Sequence, residues 1–382
     1  MREAAVRDVV QLMEEWAPPE WAESWDNVGL QLGDPTRPAS RILVALELTG
    51  AVVEEAIRRD VNLVVVHHPP IFRALKAIRF DSFAGQRLER LIKAGVGIYA
   101  AHTNLDQAEG GTNDTLAALV GLPNPGVLQP VGEEKLIKLA VFVPVGHEEA
   151  VREALAGAGA GHIGNYSHCT FQTPGTGTFL PLAGTKPFIG EQGKLAYAQE
   201  VRLETILPES KVRRAVAAMQ KAHPYEEVAY DLYPLANRGR LRGHGRIASF
   251  AEPQTLGEVA DRLRVKLNLE GLSFVGDPKR LIHRVTVGAG SGGTLIPLAV
   301  RRGADLLVTG DVKYHDAQDA MDAGLAVIDI GHYNSEAIIV GPVARHLREG
   351  LAAAGLEAEV LEAQAGRDPL RFLCEGGQRT NE

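Results

Sequence analysis

Cysteine is almost missing from this chain, with two residues, Cys169 and Cys374, among 382. That excludes a disulfide framework and a cysteine-based zinc module, and it fits a reducing, cytoplasmic setting. Long apolar runs are missing too: none approaches the roughly 20 residues of a membrane span. The opening residues, Met1-Arg-Glu-Ala-Ala-Val-Arg-Asp, lack the apolar stretch and small-residue cleavage site of a secretory signal. The expectation is a soluble, intracellular protein. Positive charge is not in excess. Lys plus Arg number 40 against 48 Asp plus Glu, a formal charge of −8 that disfavours nucleic acid as a partner unless a cavity is locally basic. No short-period repeat or long low-complexity tract occurs. What is present is globular: 45% hydrophobic and 23% charged residues, enough for a large core. The length suggests two or three domains at roughly 100–200 residues each.

The first third alternates buried strands and amphipathic helices. Strands are predicted at Arg41-Ile-Leu-Val-Ala-Leu, Asn62-Leu-Val-Val-Val and Val96-Gly-Ile-Tyr-Ala-Ala, with helices at 51–59 and 82–94. The last third repeats the style, with strands at His283-Arg-Val-Thr-Val, Ala304-Asp-Leu-Leu-Val and Leu325-Ala-Val-Ile-Asp-Ile and a helix over 336–350. Continuous apolar strands between amphipathic helices predict a mixed sheet covered on both faces. The middle differs. A strand at 136–143, a helix at 148–156, a Gly/Thr/Pro-rich stretch from 162 to 187, a strand at 195–207, a helix at 210–222 and a strand from Val228 suggest the β-α-β-β-α-β order of a ferredoxin-like fold. The expected architecture is a two-part layered α/β domain, residues 1–130 plus 243–382, interrupted by a ferredoxin-like insert at 131–242.

Polar clusters follow the predicted strands. One strand runs into His67-His68-Pro69-Pro70, another into His102-Thr103-Asn104-Leu105-Asp106, a third into Thr309-Gly-Asp311-Val-Lys-Tyr-His315 and a fourth into Gly331-His332-Tyr-Asn-Ser-Glu336. Ligands of α/β sheets bind past the carboxyl ends of strands, so the simplest reading is one crevice. Imidazole and carboxylate without thiolate suit zinc, iron, manganese, cobalt or nickel. His332 and Glu336 share a face if a helix begins near His332. His67 and His68 can serve one site only where their strand has ended, because neighbours in a strand point to opposite faces. Two histidines aimed slightly apart would suit two divalent ions at the usual dinuclear spacing of about 3.5–4 Å, with Glu336 able to bridge. Each piece alone has an ordinary structural explanation; together with Asp106 they favour a metal site. His102 and His315 read as hydrogen-bonding or acid–base groups beside the ligands.

Other strings leave alternatives open. Gly288, Gly290 and Gly293 formally match a dinucleotide-binding turn, but Pro297 follows early and no ribose-binding acid is placed; a tight turn lining the cleft, with backbone N–H groups facing phosphate, is preferred. Asp26 and Asn27, after Trp25, are substrate contacts or a structural turn. His223-Pro-Tyr-Glu-Glu227 reads as structure before a second ligand site. Arg73, Lys76 and Arg79 would suit a small anionic substrate, or simply a solvated surface.

Five strings in order, Ser24-Trp-Asp-Asn-Val-Gly-Leu-Gln-Leu-Gly33, Val65-Val-His-His-Pro-Pro-Ile-Phe72, Ala101-His-Thr-Asn-Leu-Asp106, Thr309-Gly-Asp-Val-Lys-Tyr-His315 and Gly331-His-Tyr-Asn-Ser-Glu336, resemble the GTP cyclohydrolase I type 2 homologs, also called the NGG-interacting-factor-three-like proteins. The middle is similar to the insert of the longer bacterial members, which resembles the PII and divalent-cation-tolerance folds. The resemblance implies His68 and Asp106 on one ion, His67 and His332 on the other, and Glu336 bridging. It implies hexamers built as trimers of dimers, and hydrolytic opening of the imidazole ring of GTP with release of formate, His102 or His315 handling protons. A metal-binding, metal-delivery or regulatory protein without turnover is the alternative. One departure is visible: a frequent Asp-Val-Thr reads Glu47-Leu48-Thr49 here.

Overall fold

A computed structural model describes residues 2–371. Cys374 therefore lies outside the described residues, and Cys169 is half-buried and free. The fold is mixed α/β. It divides into two compact units, a main unit of 1–131 with 242–382 and an insert of 132–241. Among the described residues no helix is long and apolar enough to cross a membrane.

The main unit holds two mixed sheets. The first runs in the order Glu359–Glu362, Arg41–Ala45, Leu63–Val66, Gly97–Ala100, Gly29–Leu32, parallel except for the last strand. Side chains alternate across a strand, and both faces here are apolar. Ile42, Val44, Val65 and Tyr99 face one way, under Val9 and Met13 of helix Val6–Trp16 and Val343 and Leu347 of helix Val340–Ala353. Leu43, Val64, Val66 and Ile98 face the other way, under Val52 and Val53 of helix Gly50–Arg58 and Leu88 and Leu91 of helix Phe83–Ala94. Burying each such side chain contributes roughly 1.5–3 kcal/mol, so the strand ends are held firmly. Local signals set the helix starts: the hydroxyls of Thr49 and Ser82 accept the backbone N–H groups of Val52 and Gly85.

The second sheet runs Ser273–Val275, Ala326–Asp329, Leu306–Gly310, Leu281–Ser291, Leu241–Thr255, Gly126–Glu133. Its three central strands are parallel. Val285, Val287, Leu306, Val308 and Ile328 pack beneath helices Thr112–Val120 and Leu256–Lys266. Arg246 ties these parts together. Its buried guanidinium makes a two-pronged ion pair with Asp114, at 2.7 and 2.9 Å, and also donates to the carbonyls of Gly243, Gly245 and Ala108.

The helix expected over 336–350 is broken. A short helix His332–Glu336 is followed by a 3-10 turn at Ala337–Ile339 and then by helix Val340–Ala353. Pro342 explains the restart, because proline is tolerated in the first turn of a helix but not in its interior.

In the insert, strands Tyr230–Pro234, Leu136–Pro144, Ala196–Pro208 and Thr170–Phe179 lie side by side in that order, every neighbouring pair antiparallel. Leu139, Val141 and Leu203 pack against Val151 and Leu155 of helix Glu148–Gly157 and Ala215 and Met219 of helix Val212–Ala222. The Gly/Thr/Pro-rich stretch thus contains a strand that its composition conceals. Pro174 is tolerated because this is an edge strand.

Candidate metal centre

His67 and His68 follow strand Leu63–Val66 directly, where the backbone N–H groups of both reach the Leu46 carbonyl and the ladder ends. The two rings therefore point into one space, with centroids 5.3 Å apart. His67 is 3% exposed, and its Nδ1–H donates to the Ala101 carbonyl at 2.8 Å. That leaves Nε2 bare and aimed at Asp106 Oδ1, 3.5 Å away on helix Thr103–Gln107. Both atoms are buried without a hydrogen-bond partner. Burying unpaired polar atoms is costly, and a bare imidazole nitrogen facing a bare carboxylate oxygen is the donor set a divalent cation satisfies.

His68 and His332 converge on Glu336. His68 Nε2 lies 2.8 Å and His332 Nε2 3.0 Å from the same oxygen, Oε2. The helix His332–Glu336 provides the spacing. His332 Nδ1 is turned to Asp311, at 2.7 Å, and Asp311 also accepts from the Ser291 hydroxyl at 2.8 Å. Asp311 holds a left-handed backbone, φ +53°, a strain that marks a tightly fixed side chain. His102 is held in the same way: Nδ1 contacts Asp26 Oδ1 at 2.9 Å, and Asp26 also accepts from Thr103 N at 3.1 Å. Carboxylates behind the imidazoles fix ring orientation and leave Nε2 for the centre.

Two donor groups result, His67–His68–His102 and His68–His332–Glu336, in each of which the donor atoms lie within 4.8 Å of one another. The residues present therefore fit a bound metal ion. The same contacts set the electrostatics of the cluster before any ion binds. Burial lowers the pKa of His67, favouring the neutral, ligating form. Burial would raise Glu336, but its hydrogen bonds with His332 and His68 overcome it and hold the carboxyl well below its ordinary value. His332 is pushed up to about 9, chiefly by its hydrogen bond with Glu336. Burial acts to lower His102, yet the hydrogen bond with Asp26 prevails and raises it. Asp26 itself is lowered to about 2, its hydrogen bonds with His102 and Thr103 outweighing burial.

The five expected ligands, His67, His68, Asp106, His332 and Glu336, thus come together, and His102 joins them. Within this cluster His67 lies against Asp106, and His68 and His332 lie against Glu336; the Ala101 carbonyl fixes His67 beside the segment leading to Asp106. His315 is not brought into either donor group; it is exposed on helix Tyr314–Asp322, edge-on to Tyr314. Asp26 resolves as the partner of His102, while Asn27 donates to the Ile71 carbonyl. The glycine-rich turn is filled by acids. A Cβ on Gly290 would meet Glu336 Oε1 at 2.3 Å, and one on Gly293 would meet Asp316 Oδ2 at 2.5 Å. The backbone N–H groups of Ala289 and Gly290 are taken by Asn113 and Ser335. The glycines therefore let carboxylates approach, and these N–H groups do not face phosphate. His223 is structural: Nε2–H donates to the Phe142 carbonyl and Nδ1 accepts from Tyr225 N. Arg73, Lys76 and Arg79 are exposed, and Arg79 pairs with Asp81. Sequence reasoning missed Asp311 as the support of His332; a carboxylate just past a strand end was the available signal.

The family model for Duf34/NIF3 (NGG1p interacting factor 3) matches residues 4–369. The chain belongs to this family. A relative from Halalkalibacterium halodurans, named GTP cyclohydrolase 1 type 2 homolog, is 45% identical over 373 residues, covering 98% of this chain and 100% of the relative. A Bacillus subtilis protein of the same name is 44% identical over 367 residues, 96% and 98% of the two chains. The crystal structure of a Bacillus cereus protein related to NIF3 superposes with a TM-score of 0.82 at 43% identity, over 98% of this chain and 100% of that one.

Proposed function

We propose that the main unit is a dinuclear metal-dependent hydrolase centre acting on a cyclic amidine or a related C–N or phosphoester bond. The observation that carries this is the bare Nε2 of His67 facing the bare Oδ1 of Asp106, 3.5 Å apart and buried. His67, His68, Asp106, His332 and Glu336 would hold two divalent ions, of zinc, iron, manganese, cobalt or nickel, His68 being common to the two donor groups. Bound there, the ions would supply Lewis acidity and lower the pKa of water. The chain's own residues do the rest. Asp26 fixes the His102 ring with Nδ1 engaged, so a proton can be taken up or released at Nε2. Asp311 does the same for the orientation of His332.

The GTP cyclohydrolase reaction, opening the guanine imidazole ring to release formate, is the activity that the relatives' names suggest. Metal storage or delivery without turnover is the second reading, favoured by the exposure of His332, whose side chain is 37% accessible. Metal analysis of the full chain, with a screen of nucleotides and cyclic amidines, tests the reading. About two ions per chain and turnover are expected. His68→Ala and Glu336→Ala should each lose metal; unchanged stoichiometry in both would refute the ligand set. Release of metal to an apo-acceptor without turnover would establish the second reading.

We read the insert, from its strand order, as a ferredoxin-like module. We also propose a cytoplasmic hexamer; the exposed Phe72, Ile78, Phe80 and Phe83 are apolar surface that self-association would cover, and sedimentation of the full chain tests the number of copies.

A further inference from the structure

The walls beside the metal centre narrow the class of substrate. A cleft of about 420 Å³ opens next to His68 and His332. Glu47, Asp311, Asp329 and Asp368 line it, with Tyr333 and Asn334, and among the described residues no lysine or arginine does. Three of these acids are already oriented by the fold. Asp329 accepts the backbone N–H groups of Val312 and Gly331, Asp311 takes Ser291 and His332, and Asp368 takes Leu370 N and Asn334. Glu47 is different. It is half-buried, and among the described residues its carboxylate has no hydrogen-bond or ion-pair partner.

Asp311 stands behind His332, whereas Glu47, Asp329 and Asp368 belong to neither donor group. Arg87 lines a smaller pocket of about 130 Å³, with Glu47 and His68, and its guanidinium donates to the Leu48 carbonyl.

We propose that the cleft receives the positively charged end of the substrate, an amidinium or guanidinium, and turns polyphosphates away. This deepens the hydrolytic reading above and rests on it. A cyclic amidine suits both regions: its electrophilic carbon can face the His68 and His332 side of the centre while its protonated nitrogens donate to Glu47 and Asp368. A nucleoside triphosphate would place several negative charges against the carboxylates of Glu47, Asp329 and Asp368, a like-charge arrangement that interfaces select against. The proposal thus favours a small cationic substrate over the small anionic one expected from the sequence.

The test is equilibrium binding to the full, zinc-loaded chain, followed by calorimetry. The probes are 2-aminoimidazoline, a cationic cyclic guanidine, its neutral isostere ethyleneurea, and guanosine compared with GTP. The cation should bind at least about fivefold more tightly than the neutral isostere, the scale of one partly exposed ion pair. Glu47→Gln should reduce that preference about fivefold, as should Asp368→Asn, with zinc content unchanged. GTP should bind no more tightly than guanosine. Tighter binding of GTP, no detectable binding of the cation, or a preference indifferent to both substitutions would overturn the proposal. Loss of zinc in Glu47→Gln would also overturn it, by making Glu47 a ligand instead of a wall. A selective cleft with no turnover of any amidine would sink the hydrolytic reading alone.

Discussion

Gly290→Ala perturbs the candidate metal centre without substituting a ligand. Gly290 has φ +66°, and a methyl group there would lie 2.3 Å from Glu336 Oε1 and 3.6 Å from His332 Cε1. Two penalties combine. The left-handed backbone costs an alanine roughly 1 kcal/mol. Forcing a methyl against a buried carboxylate costs about 1–3 kcal/mol more. Gly303 supplies the control, since its φ is +68° and nothing lies within 4 Å of the added carbon. Gly303→Ala should therefore lose only the backbone share, about 1 kcal/mol. Gly290→Ala should lose about 2–4 kcal/mol, which for a unit of this size lowers Tm by roughly 4–8 °C. Urea unfolding and calorimetry of both variants measure the difference. Metal analysis of the same samples should show Gly290→Ala depleted and Gly303→Ala loaded, because Glu336 must move in the first and not in the second. If the two variants lose equal stability and both keep their metal, the packing of Glu336 against Gly290 does not fix the centre.

Removing the support of a ligand should weaken the metal without abolishing it. Asp311→Asn, which cannot accept from His332 with the same charge, is expected to cost about 10–100-fold in zinc affinity by competition with a chelator, while full loading returns at high zinc. Arg246→Ala leaves Asp114 without its guanidinium in a buried setting; a loss of about 3–5 kcal/mol is expected in urea unfolding, and a loss below 1 would show the pair to be dispensable. In the insert, burial is the main cause lowering the pKa of His223. A histidine lowered in the folded state stabilises fully above its ordinary value near 6.5 and loses that contribution as pH falls. Protonation also removes the Nδ1 acceptor of Tyr225 N. Protection factors of helix Val212–Ala222, corrected for the intrinsic pH dependence of exchange, should therefore fall between pH 7 and 5, and that fall should vanish in His223→Gln.

Much of the site was legible before any fold was in hand. His67-His68 before two prolines, Asp106 four residues past His102, and the four-residue spacing of His332 and Glu336 are local facts, and local facts survive in a sequence. Strands were readable where they are buried on both faces, as at Leu63–Val66. Strand Thr170–Phe179 was not, because an edge position accepts the proline and glycines that disguise it. The break before Val340 was missed because the helical spacing continues through it while Pro342 restarts the backbone.

The sequence by itself determined the donor types, their order and their places at strand ends, since hydrophobic alternation and helical spacing are written in neighbouring residues. Only the tertiary structure decided the partners: His67 with Asp106, Asp26 behind His102, Asp311 behind His332, and Glu47 in an acidic wall. Those pairings join residues separated by tens to hundreds of positions, and the packing of two sheets sets their distances. No local pattern encodes such a distance, so neither the orientation of each imidazole nor the sign of the cleft could be read along the chain.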